Sequence, residues 1–212
     1  MIVVLNYKMG NIHSIIKALR KFYPEIEFSS DKKIIQQAKG LVMPGDGHFH
    51  TAMNNLKENQ LDKVVLDFIE TGKPVLGICI GFQILFSDST EVIKESGLEI
   101  VKGLDIIKGN VRKFSFSNSV RIPHMGWNKL QPNTNILPKP PSYFESYMYF
   151  IHSFRPENVD EKFILTWTNY ENDVFPSTVR KENIWGSQYH PEKSDKMGLE
   201  FLKDWVDLVK KQ

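Results

Sequence analysis

The chain of 212 residues has a single cysteine, Cys79, so it can form neither an internal disulfide nor a multi-cysteine zinc site. Such cysteine usage fits a reducing compartment, and a cytoplasmic location is expected. An excess of charge of one sign is also missing, with 27 lysines and arginines against 25 acids, a net of +2. The basic pairs Lys32–Lys33 and Lys210–Lys211 are scattered and lack an aromatic platform, so no nucleic-acid partner is expected. No apolar run is long. Val75 to Phe86 is interrupted by Gly77, Gly81 and Gln83 and is too short to span a bilayer. Met1-Ile-Val-Val-Leu5 runs into polar residues without the basic flank of a signal peptide, and no membrane partner is expected. Internal repeats and low-complexity segments are absent. What is present is a 41% apolar composition, enough for the core of one compact domain over residues 1–212.

Short apolar runs alternate with helical periodicity through the first half. Ile2–Leu5, Ile26–Phe28, Leu41–Met43 and Val75–Ile78 read as buried strands. Ile12, Ile15, Ile16, Leu19 and Phe22 recur at helical spacing behind Asn11, a cap candidate, and Leu61–Ile69 has the same period. The alternation predicts an α/β fold with a mostly parallel sheet and helices on both faces. The second half changes character. Leu104–Ile107, Met148–Ile151, Phe163–Thr168, Thr178–Arg180 and Ile184–Tyr189 read as strands separated by loops of proline, asparagine and serine, which predicts an antiparallel extension. Leu199–Val209 closes the chain as an amphipathic helix.

The strongest local signal is Gly77-Ile-Cys-Ile-Gly-Phe-Gln83 behind a buried strand. Glycine on both sides of a cysteine at a strand-to-helix turn is the pattern of a nucleophile elbow, where a side chain at either glycine would clash. The turn presents the thiol at a helix N-terminus, which favours the thiolate. A lone cysteine is more often a core residue, but the two glycines and the strand–helix context reverse that expectation. A thiol nucleophile needs a base, and the base an orienting group. Gln188-Tyr-His-Pro-Glu192 supplies both: His190 and Glu192, two apart in an extended segment, project to one side.

Together, these two strings resemble the signatures of the class I glutamine amidotransferases, which have a flavodoxin-like domain. The resemblance implies that Cys79, His190 and Glu192 form a triad that hydrolyses the side-chain amide of glutamine, without metal, nucleotide or flavin. Pro44-Gly-Asp-Gly47 resembles the family's oxyanion strand, so Gly45, Asp46, Gly47 and Ile80 are expected at the substrate. Asn6-Tyr-Lys-Met-Gly-Asn11, Pro123-His-Met-Gly-Trp-Asn128, Tyr149-Phe-Ile-His-Ser153 and Lys193-Ser194 further resemble the glutaminase subunits of imidazole glycerol phosphate synthases, over nearly the whole chain. That resemblance implies a heterodimer with a (β/α)8-barrel cyclase, to which ammonia passes in histidine biosynthesis. It also implies that Gln83 and Glu91 hold the glutamine, and that Asn11, Trp127, Tyr149 and Lys193 lie near the cyclase interface. A paralogous glutaminase that feeds a barrel homologue for amidination of surface sugars is the alternative.

The chain departs from the pattern in three places. Asn6-Tyr7-Lys8 stands where the family usually has Asp-Tyr-Gly, Asp46 replaces a valine of the oxyanion strand, and Ile80 and Phe82 replace leucine and methionine. None removes a triad member. His48 and His50 alternate, yet they follow a glycine-rich turn where their rings should diverge, so no metal is expected. His13 and His124 read as structural or interface residues, and His152 is given no acid–base work. Gly126 and Asn128 beside Trp127 suggest a turn, which favours partial exposure of the indole.

Overall fold

The computed structural model describes residues 1–116 and 120–212. Its first half alternates strand and helix: β1 (Ile2–Leu5), α1 (Ile12–Leu19), β2 (Ile26–Ser29), α2 (Lys32–Gln37), β3 (Gly40–Met43), α3 (Phe49–Glu58), α4 (Leu61–Glu70), β4 (Val75–Ile78) and α5 (Ile80–Gln83). The second half is mostly strand: β5 (Asp88–Ser89), β6 (Val101–Lys102), β7 (Asn110–Lys113), β8 (His124–Pro132), β9 (Tyr147–His152), β10 (Phe154–Glu157), β11 (Ile164–Tyr170), β12 (Asp173–Lys181) and β13 (Ile184–Ser187). The long helix α6 (Asp195–Lys210) closes the chain.

Nine strands make one mixed sheet in the order β2-β1-β3-β4-β13-β12-β11-β8-β9. From β2 to β13 neighbouring strands are parallel, and from β13 to β9 they are antiparallel. This is the α/β architecture with an antiparallel extension that the patterning predicts. β1, β3 and β4 are buried at every position because apolar layers cover both faces. On one face Val3, Leu41 and Met43 pack with Phe49, Met53, Val64 and Phe68 from α3 and α4. On the other, Ile2, Val42 and Leu76 pack with Ile15 and Leu19 of α1 and Phe201, Leu202 and Trp205 of α6. A second sheet, β10-β7-β5-β6, is not announced by the sequence, since β5 and β6 are two residues each.

Three expectations are corrected. Leu104–Ile107 is no strand: its amides bond to carbonyls of the 84–86 turn instead of a ladder, although Ile107 is fully buried. Gly126 and Asn128 form no turn and lie inside the nine-residue strand β8. The expected exposure of Trp127 still holds, at 47%, because odd-numbered residues of β8 face outward. Finally, the helix after Cys79 has only four residues, too short for a macrodipole to carry the argument made from it.

Candidate active site

Topology brings the site together at the C-terminal ends of β3 and β4, where open α/β sheets bind ligands. At the end of β4 the chain reverses through Cys79, whose backbone sits at φ 52°, ψ −106°. A non-glycine residue held there is strained, and such strain collects at functional sites. The flanking glycines make the reversal possible. A β-carbon on Gly77 would stand 2.5 Å from the Gly81 carbonyl oxygen, and one on Gly45 would stand 2.5 Å from the Gly81 nitrogen. The 44–47 segment is thereby pressed against the elbow. Tyr7, fully buried, donates its hydroxyl to the Pro44 carbonyl and ties the loop after β1 to the same place. In that loop Lys8 takes φ 62°, a conformation that favours glycine, at the position where the family pattern has glycine.

Behind β13, His190 and Glu192 are both buried, with 1% and 4% of their side chains exposed. His190 Nδ1 lies 2.8 Å from Glu192 Oε1. The reason differs from the expected one: Pro191–Lys193 is a turn of 3-10 helix, not extended chain, and the acid folds back onto the ring. Ser194 Oγ donates to the His190 carbonyl at 2.7 Å and accepts from the Tyr149 amide at 2.9 Å, which anchors this turn to β9. Burial alone would drive the His190 ring towards neutral. The charge of a Cys79 thiolate, seconded by Glu192, outweighs it and raises the ring's pKa well above its ordinary value. Nε2, the second ring nitrogen, is buried without a hydrogen-bond partner of normal geometry. Nε2 is therefore not committed to another group and is available for a proton transfer.

A cavity of about 190 Å³ opens over the thiol, lined by Asp46, Gly47, Cys79, Ile80, Gln83, Glu91 and the 151–154 segment. Pro123 also lines it, a residue not expected at the substrate, while Gly45, expected there, packs against the elbow and does not line the cavity. Gln83 Nε2 donates to Phe154 O at 2.8 Å and to Gln188 Oε1 at 3.0 Å, so its nitrogen is committed to shaping the pocket. Glu91 Oε2 accepts the Phe49 amide at 2.7 Å, and its burial raises the carboxyl pKa. Asp46 is exposed. Gln188 is a residue the sequence reading did not single out, although it opens the second motif. Its Nε2 lies 3.8 Å from Cys79 Sγ, and it is fully buried.

The interface candidates lie apart from the cavity. Asn11 caps α1, accepting from the Ser14 amide at 3.5 Å, and is exposed. Trp127 and Tyr149 are register partners across β8 and β9 with ring centroids 6.0 Å apart. Met125 and Tyr147, 51% and 59% exposed, extend the same outward face. Lys193 lies beside Glu192 and lines a second cavity of about 330 Å³ with Ser14, Lys17 and Lys21. His50 accepts the Ile93 amide at 3.1 Å, and among the described residues no group of three metal-ligating side chains gathers. No helix among them is long and apolar enough to cross a membrane.

Residues 3–208 match the family model described as Glutamine amidotransferase class-I. Over 210 residues, 99% of this chain and 97% of the relative, it is 37% identical to the imidazole glycerol phosphate synthase subunit HisH of Listeria monocytogenes serotype 4b. The Aquifex aeolicus protein of the same name is 40% identical over 206 residues, 96% and 94% of the two chains. Among solved structures, a glutamine amidotransferase superposes with a TM-score of 0.70 at 17% identity, covering 99% of this chain and 98% of that one. PurLQS from Thermotoga maritima gives 0.65 at 20% identity, covering 99% and 97%. Both structures share the fold with this chain.

Proposed function

The chain belongs to the class-I glutamine amidotransferases, and from that premise we propose that it is the glutaminase subunit of an imidazole glycerol phosphate synthase. One observation carries the chemistry: a strained cysteine at a glycine-flanked elbow is electrostatically coupled to a buried histidine whose far nitrogen is held by a buried glutamate. Cys79, as thiolate, attacks the carboxamide carbon of glutamine. The backbone N–H of Ile80 and one from the Gly45–Gly47 segment take up the charge that develops on oxygen. His190 gives its proton to the departing nitrogen, and ammonia leaves a thioester on Cys79. His190 then takes a proton from water, which adds to the thioester, and glutamate departs. Glu192 keeps the ring oriented and offsets its charge. Glutamine and water are consumed, glutamate and ammonia formed, and no metal or cofactor takes part in these steps.

Gln83 and Glu91 shape the glutamine pocket. The ammonia acceptor is a (β/α)8-barrel cyclase that makes imidazole glycerol phosphate and aminoimidazole carboxamide ribotide, docked on the face that carries Asn11, Trp127, Tyr149 and Lys193. The outward row of Met125, Trp127 and Tyr147, each about half exposed, supports a protein partner there, since aromatic side chains and methionine are enriched in interface cores. Residues 1–212 act as one such glutaminase domain in the cytoplasm. Glutamate release measured with and without the purified barrel subunit tests the reading. Hydrolysis stimulated by that subunit is expected, and no hydrolysis under either condition would overturn it.

A further inference from the structure

A chain of polar groups crosses the buried side of the β8–β9 hairpin with a carbonyl oxygen at each end. Asn128 Nδ2 donates to Asn169 O at 3.1 Å, and Asn128 Oδ1 lies 2.8 Å from His124 Nε2. His124 Nδ1 lies 3.0 Å from His152 Nε2, and His152 Nδ1 lies 2.8 Å from Phe154 O. Each of these four contacts needs one proton. The terminal oxygens only accept. A neutral imidazole offers its two neighbours one N–H and one lone pair, and the Asn128 amide meets its two neighbours with one nitrogen and one oxygen. The three side chains thus supply three protons for four contacts, whichever way the amide and the tautomers are assigned.

We infer that His124 and His152 hold one extra proton between them, as a singly charged imidazole–imidazolium pair that positions the wall of the glutamine pocket. Without that proton two lone pairs face each other at 3.0 Å inside the protein. Burial opposes the charge. It pushes His152 down to about 3, with His124, His190 and Arg155 adding like-charge repulsion, and it lowers His124 too. Three features answer it. Arg155 is already paired with Asp173 and Glu157. Hydrogen bonds from a charged donor to an oxygen are about twice as strong as neutral ones. Aromatic rings wall the pair: Tyr170 stacks on His124 with centroids 4.0 Å apart, Phe150 lies at 5.0 Å, and Phe114 and Phe175 each lie 5.2 Å from His152. Tyr170 and Phe150, stacked on His124, present ring faces, which attract a cation.

The consequence for catalysis rests on the glutaminase reading. Phe154 O, held by His152, also takes the Gln83 amide, and the carbonyl of Ile151, next to His152, is 3.9 Å from Cys79 Sγ. His152 borders the cavity, while the hydrogen-bond contacts of the sulfur are with the Ile151 carbonyl and Gln188. The two histidines are a positioning pair that sets the pocket wall and adds a positive charge to the wall of the cavity that opens over the thiol.

Nitrogen-15 spectra of the full chain labelled at histidine test the proton count directly. At neutral pH three of the pair's four ring nitrogens should carry protonated signatures, assigned with His124→Gln and His152→Gln. Two bare nitrogens would overturn the inference. Cys79 is the only cysteine, so iodoacetamide alkylation reads its environment without glutamine turnover. In His124→Gln, which keeps one donor and one acceptor but no charge, alkylation at neutral pH should slow by roughly threefold to tenfold and recover at alkaline pH. An alkylation–pH curve that does not move would overturn the positioning role. A loss of glutaminase activity in the wild type would overturn the functional reading alone.

Discussion

A β-carbon placed on Gly81 would stand 2.0 Å from the carbonyl oxygen of Met43, so the elbow after β4 and the end of β3 share one close backbone contact. Gly81→Ala must separate two segments that both line the site. Overpacking against backbone costs roughly 1–3 kcal/mol, sometimes more. Chemical denaturation should show a loss of that size, and glutamine hydrolysis should fall far more than stability does. A variant with wild-type stability and turnover would mean that the elbow tolerates a wider spacing.

Glu192→Gln should leave the fold in place and slow glutamine hydrolysis by roughly one to four orders of magnitude, the range for orienting carboxylates. The amide cannot offset an imidazolium charge. Unchanged turnover would show that Glu192 has no part in the reaction.

The same pair gives a pH dependence. His190 has a raised pKa in the fold, so its ionic contribution to stability is fully present below the unfolded value near 6.5 and disappears as pH rises through the folded value. The stability gap between the wild type and Glu192→Gln should therefore be widest near pH 6 and close at alkaline pH. Denaturant titrations across that window check the sign, and a gap that grows with pH would contradict it.

Trp127→Ala should weaken binding to the barrel subunit by about 2 kcal/mol or more, and Lys193→Ala by about 1 kcal/mol or less. The indole is 47% exposed, so its loss should change thermal stability little. Calorimetry with unaltered affinity but a sharp loss of stability would place the indole's contribution in the fold instead.

Much of the first half was legible because β1, β3 and β4 are buried on both faces and read as unbroken apolar runs. Cys79, His190 and Glu192 were legible because each lies in a short string whose spacing has a chemical reason. Other features depend on distant partners. Gly126 and Asn128 carry turn chemistry, but pairing with Phe150 and Met148 of β9 holds them in strand β8. Leu104–Ile107 has strand composition and is claimed by carbonyls of the 84–86 turn. His124 and His152 are 28 residues apart and meet only because the β8–β9 register places them opposite each other. Gln188 stood inside a recognised motif, yet its reach to the sulfur needs the β13–β4 pairing.

Asp46 does not have positive φ in the structure, so turning a peptide N–H of this segment towards the substrate through that region has a cost that the residue type at 46 sets. The side chain is exposed and borders the cavity. Valine resists positive φ because of its branched β-carbon, whereas aspartate tolerates it better, a difference on the scale of about 1 kcal/mol. Asp46→Val should lower glutaminase activity measured without the partner and increase the fold-stimulation by it. A rise in the unstimulated rate would show that charge repulsion is the larger effect.

The central claim is that Cys79 is the nucleophile of a glutaminase that feeds ammonia to a partner. Its most direct test is Cys79→Ser assembled with the barrel subunit, with two rates measured on the same sample. Serine is too weakly ionised for a base matched to a thiol. Glutamine-dependent synthesis should fall by roughly three orders of magnitude or more, while synthesis from added ammonium salt stays at the wild-type rate. Retention of an appreciable fraction of the glutamine-dependent rate would contradict the account.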